Sequence, residues 1–180
     1  MSHRSHDLPP DITIERATLA DTDTFIAIYE EAARWLWDQG IHQWKPGEFR
    51  RKWILPHIER GEVYLAKRGA ETLGSVLIQW SDEYIWGKTP DDAGYIHGLR
   101  VRRSEAGQGL GRAMLAWAER EIGRAGRPYA RLDCIANNPK LCAYYQHAGY
   151  ERRTDILPDD AETPLARFEK RLTDERWVGA

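Results

Sequence analysis

The sequence predicts a mixed α/β (α+β) fold in a single domain. Three observations carry this. The chain has 180 residues, the length of one ordinary domain. It is 42% hydrophobic and 30% charged with a net charge of −2, a soluble globular composition. Alternating apolar runs interchange with helical periodicity in the order β-α-α-β-β-β-α-β-α-β-β, antiparallel strands first and a β-α-β unit after them. Residues 1–10 are expected as a loose N-terminal tail, 11–173 as the domain and 174–180 as a C-terminal tail.

Taken in order, residues 12–16 alternate and predict a short strand. Residues 21–38 predict a helix: Phe25, Ile28, Tyr29, Ala32 and Leu36 recur at helical spacing, and Gly40 terminates it. A second helix is predicted over 48–59, disturbed near Pro56. Residues 63–66 and 73–80 predict strands joined as an antiparallel hairpin. Residues 81–93 read as a polar loop. Residues 95–101 predict a strand whose Gly98 marks a bulge or a close backbone approach. Residues 110–122 predict a helix with Leu110, Met114, Trp117 and Ala118 on one face. Residues 129–135 predict a strand. Asn138 caps a helix with Pro139 at its first position and Gly149 beyond its end. Residues 150–153 and 165–172 predict the last strands.

Composition excludes several function classes. The 26 basic and 28 acidic residues nearly cancel, so nothing points to nucleic acid through bulk charge. Cys134 and Cys142 make neither a disulfide framework nor a four-ligand zinc site; His42 and His147 lack metal-ligand spacing, so no metal is expected. No apolar run approaches the length of a membrane helix. Residues 1–10 are polar, unlike a signal peptide. A cytoplasmic protein with reduced thiols, either monomer or homodimer, is the expectation.

The most informative segment is Leu99–Ala113, where a strand leads through a short connector to Gly107, Gly109 and Gly111 and then a long helix. Such a loop presents backbone N–H groups at a helix N-terminus and favours a phosphate or pyrophosphate. The dinucleotide fingerprint fails, because Arg112 stands where its third glycine belongs. The nucleoside-triphosphate loop fails too, because Arg112-Ala113 follow Gly111 instead of Lys-Ser/Thr. A turn without a ligand is the bland alternative.

Leu99-x-Val101 followed by Gly107-Gln108-Gly109-Leu110-Gly111 resembles the acetyl-CoA-binding motif of the GNAT superfamily of N-acetyltransferases. Asn138 with Ala143-Tyr144-Tyr145-Gln146-His147-Ala148-Gly149-Tyr150 resembles that family's second motif. Element order agrees over about 12–172. One departure is Ala106, where the family usually has Arg or Gln; Arg112 or Arg103 is the candidate substitute.

The resemblance implies a GNAT-like, mostly antiparallel sheet flanked by helices, and acetyl-CoA as co-substrate. It implies that the backbone of Leu99, Arg100 and Val101 pairs with the pantetheine arm. The amides of Gly107, Gln108, Gly109, Leu110, Gly111 and Arg112 would hold the pyrophosphate. Asn138 would contact the CoA arm, and Tyr145 would sit near the thioester sulfur as general acid or hydrogen-bond donor. Tyr144 competes with it, with core packing as its plainer reading. Arg102 and Arg103 are candidates for the adenosine 3′-phosphate.

Relatives often carry a Glu on the motif strand; here His97 and Tyr95 occupy those positions. His97 has a suitable unperturbed pKa, near 6.5, and is the candidate general base. A hydrogen-bonded structural histidine is the equal alternative. Asp82 and Glu83 are weaker base candidates.

The chain has 8 Trp against 3 Phe, and six of the Trp lie in 35–53 and 80–86, the segments that wall the acceptor site in the GNAT arrangement. Trp44, Trp80 and Trp86, with Asp82 and Glu83, are expected to bind a cationic amine by cation–π contact and ion pairing. Trp35 and Trp53 are expected to pack the core. The predicted function is transfer of an acetyl group to an amine of a small molecule or peptide; a non-catalytic acyl-CoA sensor is the alternative.

Overall fold

The periodicities become seven strands and five helices in a computed structural model that describes residues 7–159 and 161–172. The elements are β1 (Thr13–Arg16), α1 (Thr22–Asp38), α2 (Arg51–Glu59), β2 (Val63–Arg68), β3 (Glu71–Gln79), α3 (Glu83–Trp86), β4 (Ala93–Val101), α4 (Leu110–Arg124), β5 (Tyr129–Ile135), α5 (Pro139–His147), β6 (Glu151–Arg152) and β7 (Leu165–Arg171). The sheet order is β1-β2-β3-β4-β5-β7-β6. The pairs β1–β2, β2–β3, β5–β7 and β6–β7 are antiparallel, and β4–β5 is parallel. This is the mixed, mostly antiparallel sheet flanked by helices that the sequence predicts. The C-terminal tail, 174–180, and residues 1–6 of the N-terminal tail lie outside the described residues.

The described residues fall into two compact units, 7–77 with 98–117 and 78–97 with 118–172. In the first, α1 turns Phe25, Ile28, Tyr29 and Ala33 inward. Phe25, Ile54, Ile58, Val63, Leu65 and Leu77 form a cluster that Ile26 and Phe49 pack against. Full burial of such a side chain stabilises by about 1.5–3 kcal/mol, which makes this cluster the main support of the α1–α2 layer.

In the second unit β5 is central. Ala130, Leu132 and Cys134 are buried, as are Ala166 and Phe168 of β7 and Cys142 and Tyr145 of α5. Arg131 is buried among them and has carboxylates beside it. Its Nε donates to Glu169 at 2.8 Å and its Nη1 to the Tyr95 hydroxyl at 3.0 Å, with Asp92 at 3.1 Å. Burial pushes the Glu169 carboxyl up, but hydrogen bonds from Arg131 and Arg153 outweigh it and hold the group below its ordinary range.

Three local expectations change. The second helix begins at Arg51, not at residue 48. Gly47 takes a φ of +78 and donates its N–H to the Glu30 carboxylate at 2.9 Å, which holds the preceding chain in a non-helical path. The helix then runs through Pro56; Pro removes one helical N–H, while Ile54 and Ile58 on either side are buried. The loop 81–93 contains α3, whose N-cap is Asp82: its Oδ1 accepts from the Ile85 N–H at 3.2 Å.

Candidate active site

The glycine loop is pinned at its entrance by charge. Arg102 donates to the Thr72 carbonyl at 2.7 Å and to Glu31 at 3.0 Å, and the Arg103 N–H donates to Glu31 at 2.6 Å. The buried Glu105 accepts from Arg68 at 3.1 Å. Beyond these anchors Gly107 and Gly109 adopt φ of +76 and +88 with nothing near their Cβ positions. Only glycine visits that region freely, so the sequence obtains this turn by placing glycine at both. Helix α4 opens at Leu110, and the first amides of a helix have no intrahelical acceptor. Arg112, on that first turn, has its Nη1 buried with no hydrogen-bond partner. The exposed Gln108 side chain folds back along the loop, donating to the Ser104 carbonyl at 2.7 Å.

The β4–β5 ladder runs from Ala93↔Tyr129 to Ile96↔Leu132 and stops. Both strands continue, β4 to Val101 and β5 to Ile135. Gly98 follows the last paired residues closely and has a φ of +56, the irregularity that the glycine in the strand predicts.

His97, one residue past the ladder, lies between two carboxylates. Its Nε2 is 3.3 Å from Asp82 Oδ2, and its Nδ1 is 3.6 Å from Asp133 Oδ1. The Asp82 side chain is only 8% exposed and that of Asp133 17%. Burial pushes the Asp133 carboxyl above its ordinary range; the His97 charge pulls it down, and the Asp82 charge pushes it up again. Two half-buried carboxylates thus face opposite nitrogens of the ring, and their negative charge is placed to stabilise a positive charge on it. Asp82 does two things at once, capping α3 with one oxygen and facing His97 with the other. Glu83, the next residue, is exposed.

Tyr145 is buried, 5.8 Å from the Phe168 ring and 6.1 Å from the Tyr150 ring by centroids. Burial pushes its phenol well above the ordinary value, so it keeps its proton at any physiological pH. Tyr144 is half-buried and packs edge-on to it. Asn138 uses its Oδ1 as the N-cap of α5, accepting from the Leu141 N–H at 3.1 Å. Cys134 and Cys142 are reduced and buried, with their sulfurs 3.8 Å apart.

The tryptophans differ from expectation. Trp35 and Trp53 do not pack the core; they are 37% and 50% exposed. The Arg103 guanidinium covers the Trp35 ring at 3.9 Å, and Trp53 sets its edge on Phe49. The three rings expected to meet a cationic amine already carry guanidinium groups of the protein. Trp44 has Arg100 at 4.9 Å, Trp80 has Arg127 at 5.9 Å, and Trp86 has Arg131 and Arg167, each at 5.3 Å. Twenty arginines among many tryptophans make such internal pairs frequent.

Two residues escaped sequence reasoning, Asp133 and the side chain of Arg100. A signal existed for each. Asp133 is a charge inside the otherwise apolar run Leu132–Ile135, and Asp is disfavoured in strands. Arg100 is a charge between Leu99 and Val101, two residues after a glycine.

Known proteins resemble this chain in sequence and in fold. The acetyltransferase (GNAT) family model matches residues 29–150. The chain is 33% identical to YesJ of Bacillus subtilis (strain 168), described as an uncharacterized N-acetyltransferase, over 168 residues that span 88% of this chain and 89% of YesJ. A GNAT-family acetyltransferase of Listeria monocytogenes 4b F2365, known from its crystal structure, superposes with a TM-score of 0.76 at 27% identity, covering 89% of this chain and 95% of that one. The fold is also that of yncA, a putative acetyltransferase of Salmonella typhimurium solved with its cofactor acetyl-CoA. There the TM-score is 0.65 at 16% identity, over 94% of this chain and 99% of that one.

Proposed function

The chain belongs to the GNAT family of acetyltransferases, and on that footing we propose that it moves an acetyl group from acetyl-CoA to a primary amine by direct transfer. The observation that carries the catalytic part is the His97 imidazole between Asp82 and Asp133.

Acetyl-CoA is the donor substrate. The amides of Gly107–Arg112 take its pyrophosphate. The buried, unpartnered Arg112 Nη1 supplies the side-chain contact that Ala106 lacks. The backbone of Leu99–Val101 pairs with the pantetheine arm as an added strand, a role supported by the end of the β4–β5 ladder at Ile96. The carboxamide nitrogen of Asn138 faces the CoA arm.

The amine must lose a proton before its lone pair attacks the thioester carbonyl carbon. His97 takes that proton, and Asp82 and Asp133 stabilise the imidazolium that forms. The C–N bond forms, and the Leu99 N–H, next to the Gly98 irregularity, donates to the oxyanion. The tetrahedral species then collapses and the C–S bond breaks. The nitrogen, cationic once the C–N bond has formed, gives up its remaining extra proton to the departing thiolate, to which the buried Tyr145 phenol donates a hydrogen bond, and this leaves the neutral amide and CoA. Asp82 and Asp133 face different ring nitrogens, and a metal ion takes an imidazole through one nitrogen only, so this arrangement favours proton transfer over metal ligation. One carboxylate oxygen from each aspartate and one ring nitrogen of His97 do lie within 4.8 Å of one another.

The test has two stages. Thermal unfolding is followed with acetyl-CoA, CoA, ATP and NADH; at 100 times its Kd a ligand adds about 2.7 kcal/mol, and only the CoA species are expected to do so. CoA release is then measured against an amine panel. Stabilisation by CoA without release on any amine would favour the binding module.

A further inference from the structure

Among the described residues the protein buries four charged side chains, Arg100, Glu105, Glu119 and Arg131. Three have an opposite charge beside them: Glu105 has Arg68 at 3.1 Å, Glu119 has Lys170 at 2.6 Å, and Arg131 has Glu169 at 2.8 Å. Arg100 has none. Its Nε donates to the Gly98 carbonyl at 2.9 Å, and its Nη1 is buried without a partner. Its surroundings are aromatic: the Phe25, Tyr29 and Trp44 rings lie 4.9, 5.0 and 4.9 Å from the guanidinium carbon. Burial pushes the group down to about 10, so it is still charged at neutral pH.

The fold makes room for this unpaired charge. A Cβ at residue 98 would collide with Arg100 Nη2, so glycine there serves the guanidinium as well as the strand. Three rings offset part of the desolvation by cation–π attraction, but they leave the donors of Nη1 empty. A methionine or leucine would fill the same box without that cost, and replacing buried charge by apolar groups often stabilises a protein. Packing alone therefore does not account for Arg100. A guanidinium is the side chain suited to planar, bidentate recognition of a carboxylate.

The wall of the box that stands outside helix and strand is Trp44. It is half-buried and belongs to residues 39–50, a stretch without helix or strand between α1 and α2. The other two rings are fixed on or against α1: Phe25 and Tyr29 are buried members of that helix.

We propose that Arg100 is the anion-binding residue of the acceptor site, and that the acceptor is an amine that also carries a carboxylate, which reaches the guanidinium in place of Trp44. The word acceptor rests on the acetyltransfer reading given above; the carboxylate site does not. This replaces a purely cationic amine with a zwitterionic one, of the amino-acid or peptide type. The carboxylate is then the end that is held, and the amine is the end that reacts.

The experiment compares matched ligands that need no turnover. N-acetylated amino acids, each beside its own carboxamide, are titrated against the full chain by thermal unfolding, with acetyl-CoA in a parallel arm. At least one carboxylate is expected to bind ten times or more tighter than its amide. Arg100→Met is expected to bring the two to the same Kd, and Arg100→Lys to fall between, since it keeps the charge and loses the planar fork. Unliganded Arg100→Met is expected to unfold at the wild-type temperature or above. Equal binding of acid and amide, no binding of any acid, or a preference that survives Arg100→Met would each overturn the site. A large drop in the unfolding temperature of unliganded Arg100→Met would do the same, assigning Arg100 to structure. A carboxylate shift without an acetyl-CoA shift would leave the site standing and overturn the acetyltransfer reading. The reverse pattern would overturn the site alone.

Discussion

Arg131 sits among Glu169, Asp92 and Tyr95, with Arg153 sharing the same glutamate. Arg100 sits among Phe25, Tyr29 and Trp44, with no carboxylate beside it. Both side chains are buried and both touch tryptophan, so composition does not separate them. Their partners do. A buried charge whose hydrogen bonds are complete is part of the framework, and removing one member leaves the rest stranded. A buried charge with an empty donor is unfinished, and the finishing group is to be sought outside the chain. The His97 cluster stands between these cases: the ring faces two carboxylates, but at 3.3 and 3.6 Å, longer than the bonds that hold Arg131.

The comparison is broken or sharpened by substitution. The largest effect is expected at the complete network. Arg131→Met should destabilise the protein by about 3–5 kcal/mol in urea unfolding, because Glu169 and Asp92 stay behind; a loss under about 1 kcal/mol would erase the distinction between the two arginines. His97→Ala should lower kcat by about 10²-fold or more with an unfolding temperature close to wild type, and should remove the low-pH limb of the rate profile. Retention of both rate and profile would return His97 to a structural role.

A smaller effect is expected at Glu169→Gln, about 1–3 kcal/mol. The sign with pH follows from its lowered carboxyl. The stabilisation is fully present above the ordinary value of 4.5 and is lost as pH falls through the lower folded value. The stability of wild type should therefore drop more steeply than that of the variant below about pH 4.5. The smallest effect is expected at Arg100→Met, within about 1 kcal/mol of wild type without ligand. A profile in which Arg100 and Arg131 cost equally would mean that the aromatic box does the work of an ion pair.

Much of the fold was legible locally. The strand–connector–glycine–helix run from Leu99 to Ala113 announced a turn that leads into a helix, since positive φ at Gly107 and Gly109 is a property that glycine alone carries cheaply. Gly98 announced an irregularity in β4 for the same reason. Helix starts were less legible. Residues 48–50 have no helix-breaking residue; the Glu30 carboxylate, brought from α1 to the Gly47 N–H, and the Arg50 bond to the Gly47 carbonyl hold the chain out of helix there. The tryptophans were read as acceptor walls or core because their count was visible and their partners were not; Trp35, Trp44, Trp80 and Trp86 each proved to carry an arginine.

The sequence by itself determined the order of elements apart from α3, the glycine turn before α4, and the presence of an imidazole at residue 97 of β4. These follow from periodicity and from backbone freedom, which act over a few residues. Only the tertiary structure decided which charges have partners. Asp133 meets His97, and Phe25, Tyr29 and Trp44 enclose Arg100, across long stretches of chain, because side-chain pairing depends on which strands and helices pack together. That packing made Arg131 a finished part of the framework and left Arg100 with an empty donor.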